Sequence, residues 1–120
     1  MNATCAEMLV IPVNQLPHYA SPESGEDTIA AVRRLIPQPI GTQGMRVLRA
    51  WFADDFHGLP PNRAADVILR GVGYTHPSGW AGMVVLTMEG DNDGNVPPLT
   101  NQVRATLDRL VAEAAASHRS

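Results

Sequence analysis

The stretch Trp80–Glu89 (WAGMVVLTME) constrains the architecture more than any other part of this chain. Its centre, Met83–Leu86, is continuously apolar with two adjacent valines. That pattern reads as a strand buried on both faces. The second constraint lies downstream. Val103, Leu107, Leu110, Val111 and Ala114 recur at i, i+4, i+7, i+8 and i+11, which predicts an amphipathic helix over 101–116 with Thr100 or Asn101 as its cap. On its other faces, Arg104–Asp108 and Arg109–Glu113 are spaced as i, i+4 ion pairs.

The remaining elements follow from local signals. Ala6–Val13 reads as a strand with Pro12 near an end or on an edge, and residues 14–20 as a loop. Ser21-Pro22 resembles an N-cap with proline at the first helical position. Ile29, Val32 and Ile36 would then face the core, and Pro37 and Pro39 stop the helix. Gly41–Gly44 reads as a turn and Met45–Ala53 as a strand, although its alternation is poor enough to leave a helix open. Asn62 is placed to cap a short helix through Arg70, with Ala65, Ile68 and Leu69 inward and Gly71 and Gly73 at its end. The implied fold class is α+β, with a small sheet of three to four strands and two or three helices packed on one face. So thin a sheet is compatible with a homodimer that extends the sheet or buries the last helix.

Composition bounds the function. A chain of 120 residues that is 44% hydrophobic fits one small domain over 1–120 and is not that of a disordered tail. No apolar run approaches a membrane span and no basic segment precedes one, so no membrane role and a cytoplasmic location are expected. Cys5 is the one cysteine, which excludes an internal disulfide and a CxxC zinc motif. All nine basic residues are arginine, as a GC-rich genome would produce, and twelve acidic residues bring the net charge to −3. The arginines are scattered, apart from a potential cluster of Arg33, Arg34, Arg46 and Arg49, so nucleic-acid binding is disfavoured.

Several motifs invite chemistry. His18, His57 and His76 lie in expected loops beside aromatic residues, and His118 lies in the tail. Two or three of His18, His57 and His76 converging with Asp54 or Asp55 could hold a divalent metal, and a histidine alone could move a proton. The spacing matches no tight ligand motif, so no metal site is assigned and ordinary surface histidines are the simpler reading. Asp91–Asn95 is rich in oxygen ligands, but the positions for an EF-hand glycine and glutamate hold Val96 and Gln102. A solvated turn explains it. Ser21, Ser24 and Ser78 lack a nucleophile-elbow context, and the glycines match no nucleotide fingerprint, so no cofactor is implied.

Five of the six aromatic residues, Trp51, Phe52, Phe56, Tyr74 and Trp80, fall between positions 51 and 80. They form either a core cluster or an exposed patch flanked by Arg46, Arg49 and Arg63. Tryptophan and arginine dominate interface hot spots, so the second possibility marks Trp51, Phe52, Phe56, Arg49 and Trp80 as a protein-partner surface. The acidic stretch 89–93 could then meet a basic partner and speed association.

Thr75-His76-Pro77 before a strand, and Leu99-Thr100 before the last helix, are similar in order and separation to the pterin-4a-carbinolamine dehydratases. Ile29–Leu35 followed by Met45–Phe52 also resembles that family's helix–strand opening. Thr75 stands where the family has its first histidine, its later histidine has no counterpart near Glu89–Asp91, and Pro60-Pro61 falls where it has a long helix. The resemblance therefore implies hydration–dehydration chemistry through His76 alone. Two functions follow as expectations. The first is a non-enzymatic inhibitor, adaptor or assembly factor that binds a macromolecular partner. The alternative is a small enzyme using His76 with His57 and Asp54 or Asp55.

Overall fold

The computed structural model describes residues 7–74, 79–90 and 96–119. Five strands and three helices are found among them: β1 (Met8–Ile11), β2 (His18–Ala20), α1 (Thr28–Leu35), β3 (Ile40–Met45), β4 (Leu48–Ala53), α2 (Arg63–Gly71), β5 (Val84–Met88) and α3 (Asn101–Arg119). The strands make one open sheet in the order β2-β1-β5-β4-β3, and every neighbouring pair is antiparallel. The architecture is α+β. No helix among the described residues is long and apolar enough to cross a membrane.

β5 occupies the middle of the sheet, where its apolar run is covered on both faces. Alternation divides its side chains between two cores. Val84 and Leu86 join Leu9, Ile11, Leu48 and Ala50 beneath α2 and α3, which supply Ala65, Ile68, Leu69, Leu107, Leu110 and Ala114. Val85 joins Met8, Trp51 and Ala53 on the opposite face, beneath Ala31, Val32 and Ile36 of the α1 segment. Two helices thus pack together on one face and α1 covers the other.

The sheet is wider than the three to four strands expected because two outer strands arise in stretches read as loop and turn. β2 lies within 14–20 and pairs with β1 through Met8–Ala20, Leu9–Tyr19 and Val10–His18. β3 and β4 form a hairpin closed by Arg46 and Val47, so the single strand expected over Met45–Ala53 begins at Leu48. Two-residue hairpin turns favour glycine, asparagine or aspartate at positive φ. Here Arg46 takes φ 64°, which hides the turn from a reading of composition.

α1 begins later than expected. Asp27, not Ser21, is the N-cap, its carboxylate accepting the Ala30 N–H at 2.7 Å. Gly25 at φ 86° separates Pro22 from the helix, and Glu26 accepts the Glu23 N–H. With this start the inward stripe is Thr28, Ala31 and Val32, and Ile29 is 40% exposed instead of buried. By contrast, Asn62 caps α2 as expected, accepting the Ala65 N–H at 3.0 Å. Gly71, expected to end that helix, is its last residue; a Cβ there would meet Leu110 Cδ2 at 2.2 Å, so glycine permits the close approach of α2 and α3. In α3, Thr100 accepts the Val103 N–H, and Arg109 pairs with Glu113 at 3.1 Å.

Candidate functional site

The aromatic cluster is assembled by four segments on the α2/α3 face. β4 supplies Phe52, the loop after it Phe56, the residues following α2 Tyr74, and the segment leading to β5 Trp80. Trp80 is held by its backbone. Its N–H donates to Asp66 Oδ1 at 2.8 Å, and its carbonyl accepts the Asn62 N–H at 2.8 Å. Asn62 is itself buried and fully engaged, its amide donating to the carbonyls of Ile11 and Gly82 at 2.8 Å each. A buried amide with every group paired locks geometry without an unsatisfied polar atom. The N-terminus of α2, β1 and the segment carrying Trp80 are thereby tied together.

Around this clamped indole the other rings stand at an angle. Phe52 lies edge-on to Trp80 with centroids 5.0 Å apart, Tyr74 is tilted at 5.4 Å, and Phe56 at 6.2 Å. Phe52 and Phe56 also meet edge-to-face at 6.2 Å. These separations fall in the favourable range for aromatic pairs. Trp80 is only 2% exposed, while Phe52, Phe56 and Tyr74 are half-buried. The Phe52 ring lies against β3, where a Cβ on Gly41 would come within 2.9 Å of it.

The residues grouped by sequence as one partner patch are therefore divided by the pleat. Phe52, Phe56 and Trp80 share the α2/α3 face. Trp51 is on the other face, 8% exposed, its Nε1–H donating to Thr87 Oγ1 at 3.0 Å. Both tryptophans are core residues and neither presents its ring to solvent. Arg49 is on the Trp51 face and is engaged, with Nε 3.0 Å from Glu89 Oε2 and Nη1 donating to Thr42 Oγ1 at 3.1 Å. Of the potential arginine cluster, Arg34 is also paired, 2.8 Å from Glu26. That contact raises the Arg34 pKa and lowers that of Glu26.

The residues of the enzymatic alternative are only partly placed. Asp54, Asp55 and His57 are exposed in the loop after β4, where Asp55 accepts the His57 backbone N–H at 2.9 Å. His18 is exposed on β2. His76 and the Thr75-His76-Pro77 motif lie outside the described residues, as do Asp91–Asn95 and Cys5. No group of three or more His, Cys, Asp or Glu among the described residues is placed to hold a metal ion.

Two features escaped the sequence reading. At one edge of the sheet, Tyr19 of β2 reaches α3, where its hydroxyl donates to Asp108 and the Arg104 guanidinium stacks over its ring at 4.2 Å. Arg104 and Asp108, expected to pair with each other, both engage Tyr19. Burial, then the hydrogen bond to Asp108, push the Tyr19 pKa up to about 12. At the other edge, β3 presents Thr42 and Gln43 to solvent. The β-branched Ile40 and Thr42 at period two were the available signal, obscured by Gly41 and Gly44.

No family model matches this chain, and no curated protein and no solved structure matches it either.

Proposed function

We propose that this chain is a small interaction protein that binds a protein partner through the exposed rims of Phe52 and Phe56. One observation carries the reading: two half-buried phenylalanine rings, Phe52 edge-on and Phe56 tilted, pack against a buried, backbone-clamped tryptophan. Rings so held lose little conformational freedom on binding and offer a large apolar contact, the character of an interface anchor. Trp80 supports this surface from beneath. The exposed carboxylates of Asp54 and Asp55 lie beside it and would favour a partner with basic residues at its rim.

Native mass spectrometry of the protein isolated gently from its own source tests the reading. The wild-type chain is expected to carry one stoichiometric protein partner. Phe56→Ala should release it with circular dichroism unchanged, whereas Leu16→Ala, at an exposed loop position, should retain it. A chain that carries no protein, or a partner retained by Phe56→Ala, would contradict the proposal. A bound small molecule on an otherwise lone chain would direct attention to the histidine loops.

A further inference from the structure

The hydrogen-bonding phase of β3 can be worked out from three contacts. Asp54 N–H donates to the Pro39 carbonyl at 2.8 Å, so 39 and 54 form a hydrogen-bonded pair. Such pairs alternate with non-bonded ones along an antiparallel ladder, so residues 41, 43 and 45 direct their backbone groups at β4. The two-residue turn at Arg46 and Val47 requires the same phase, because its flanking pair, Met45 and Leu48, is hydrogen-bonded. Glu89 N–H donates to the Val47 carbonyl at 2.7 Å, which turns Arg49 and Trp51 toward β5 and leaves Leu48 and Ala50 for β3. Ile40, Thr42 and Gly44 consequently direct N–H and C=O away from the sheet. Gln43 Nε2 donates to the Gly44 carbonyl at 3.2 Å, an exposed contact that an incoming strand can replace.

Natural edge strands are commonly blunted by charge, proline, a bulge or brevity. β3 shows none of these. Its six residues, IGTQGM, include no charge and no proline, and the register with β4 runs unbroken from Ile40–Ala53 to Met45–Leu48. Its sequence also fits its own copy. Antiparallel pairing about Thr42 sets Thr42 opposite Thr42, Ile40 of one copy opposite Gly44 of the other, and Gly41 opposite Gln43. Beyond the strand, Arg46 would fall opposite Gln38. No like charges meet, and threonine opposite threonine is a favourable cross-strand pair. Arg49, whose guanidinium reaches Thr42, is already paired with Glu89.

The geometry points to a second copy of this chain as the occupant of the β3 edge, joined by a two-fold axis at Thr42 into a continuous ten-stranded sheet. Two-fold pairing through one self-complementary element is the commonest closed assembly. A single strand pair sits at the small end of specific interfaces, so the dimer should dissociate in the micromolar range. This goes beyond the partner surface at Phe52 and Phe56 and does not depend on it.

Sedimentation velocity over a micromolar concentration series tests it, with two charge variants. The wild-type chain should pass from monomer to dimer. Thr42→Lys and Thr42→Glu each place like charges directly opposite and should each raise the midpoint by roughly fivefold or more. An equal mixture of the two variants should bring the midpoint back to the wild-type value or below it. Thr42 is exposed, and its hydroxyl contributes only the contacts to Ala50 and Arg49, so circular dichroism should show both variants folded. A wild-type chain that stays monomeric, a midpoint unmoved by either charge, or a mixture no better than its components would each overturn the proposal. The wild-type series does so even if a variant fails to fold.

Discussion

The two outer strands solve the same problem in opposite ways. β2 is three residues long, and its central side chain is fastened to α3 by a hydrogen bond to Asp108 and by the stacked Arg104. β3 is twice that length and carries its own backbone groups outward with no helix fastened across it by any described hydrogen bond. Brevity and a side-chain anchor discourage further pairing at one edge, whereas the other has the features of a template. The difference teaches that an edge is identified by what its side chains are committed to, since apolar content is modest in both strands.

The centre of the sheet sets the scale for testing this contrast. Asn62→Ala removes the cap of α2 and both donors to the Ile11 and Gly82 carbonyls, and is expected to destabilise by ~3 kcal/mol. Urea denaturation measures it, and a much smaller loss would mean that water replaces the amide. Next in size is Tyr19→Ala, which detaches β2 from α3 and should cost about 2 kcal/mol through lost packing and hydrogen bonding. If β2 were held by its backbone alone, this variant would behave like wild type.

At the other edge the effects should be smaller. Gly41→Ala brings a Cβ to within 2.9 Å of the Phe52 ring, with an expected cost of about 1 kcal/mol as the ring shifts. The same variant should weaken partner capture, because Phe52 belongs to the proposed surface. Thr42→Val removes the hydroxyl that donates to the Ala50 carbonyl and accepts from Arg49, and urea denaturation should show a loss below about 1 kcal/mol.

The pH dependence sharpens the comparison further. Tyr19 has its pKa raised from 10.0 to about 12 in the folded chain. A raised pKa in an acid that is neutral when protonated gives stability that is complete below pH 10.0 and lost as pH rises toward about 12. Phenolate absorbance should therefore show Tyr19 ionising late. Asp108→Asn should bring it only part of the way back, because burial is the larger cause. A full return to the ordinary value would place the whole effect on the carboxylate.

How legible these regions were in the sequence follows from the kind of signal each carries. β5 and α3 were readable because a long apolar run and a five-residue helical stripe are set by burial itself. Asn62 was readable because capping is local chemistry. α1 was misplaced because two capping signals compete, Ser21-Pro22 and Asp27, and Gly25 decides between them through a backbone angle that composition does not show. The β3–β4 hairpin was hidden by Arg46 in a position that usually takes glycine. For the site, the clustering of aromatic residues between 51 and 80 was visible, but their exposure was not. Adjacent residues on a strand point to opposite faces, so Trp51 and Phe52 could never share one surface. Recognising that required knowing that β4 is a strand covered on both sides.

Backbone hydrogen exchange reads the outward phase of β3 residue by residue. At concentrations well below dimerisation, the amides of Gly41, Gln43 and Met45 should exchange slowly and those of Ile40, Thr42 and Gly44 rapidly. Raising the concentration through the dimer range should protect Ile40, Thr42 and Gly44 selectively. Uniform protection along 40–45 in the dilute chain, or no concentration-dependent gain at Thr42, would contradict the claim that this edge is open and receives a second copy.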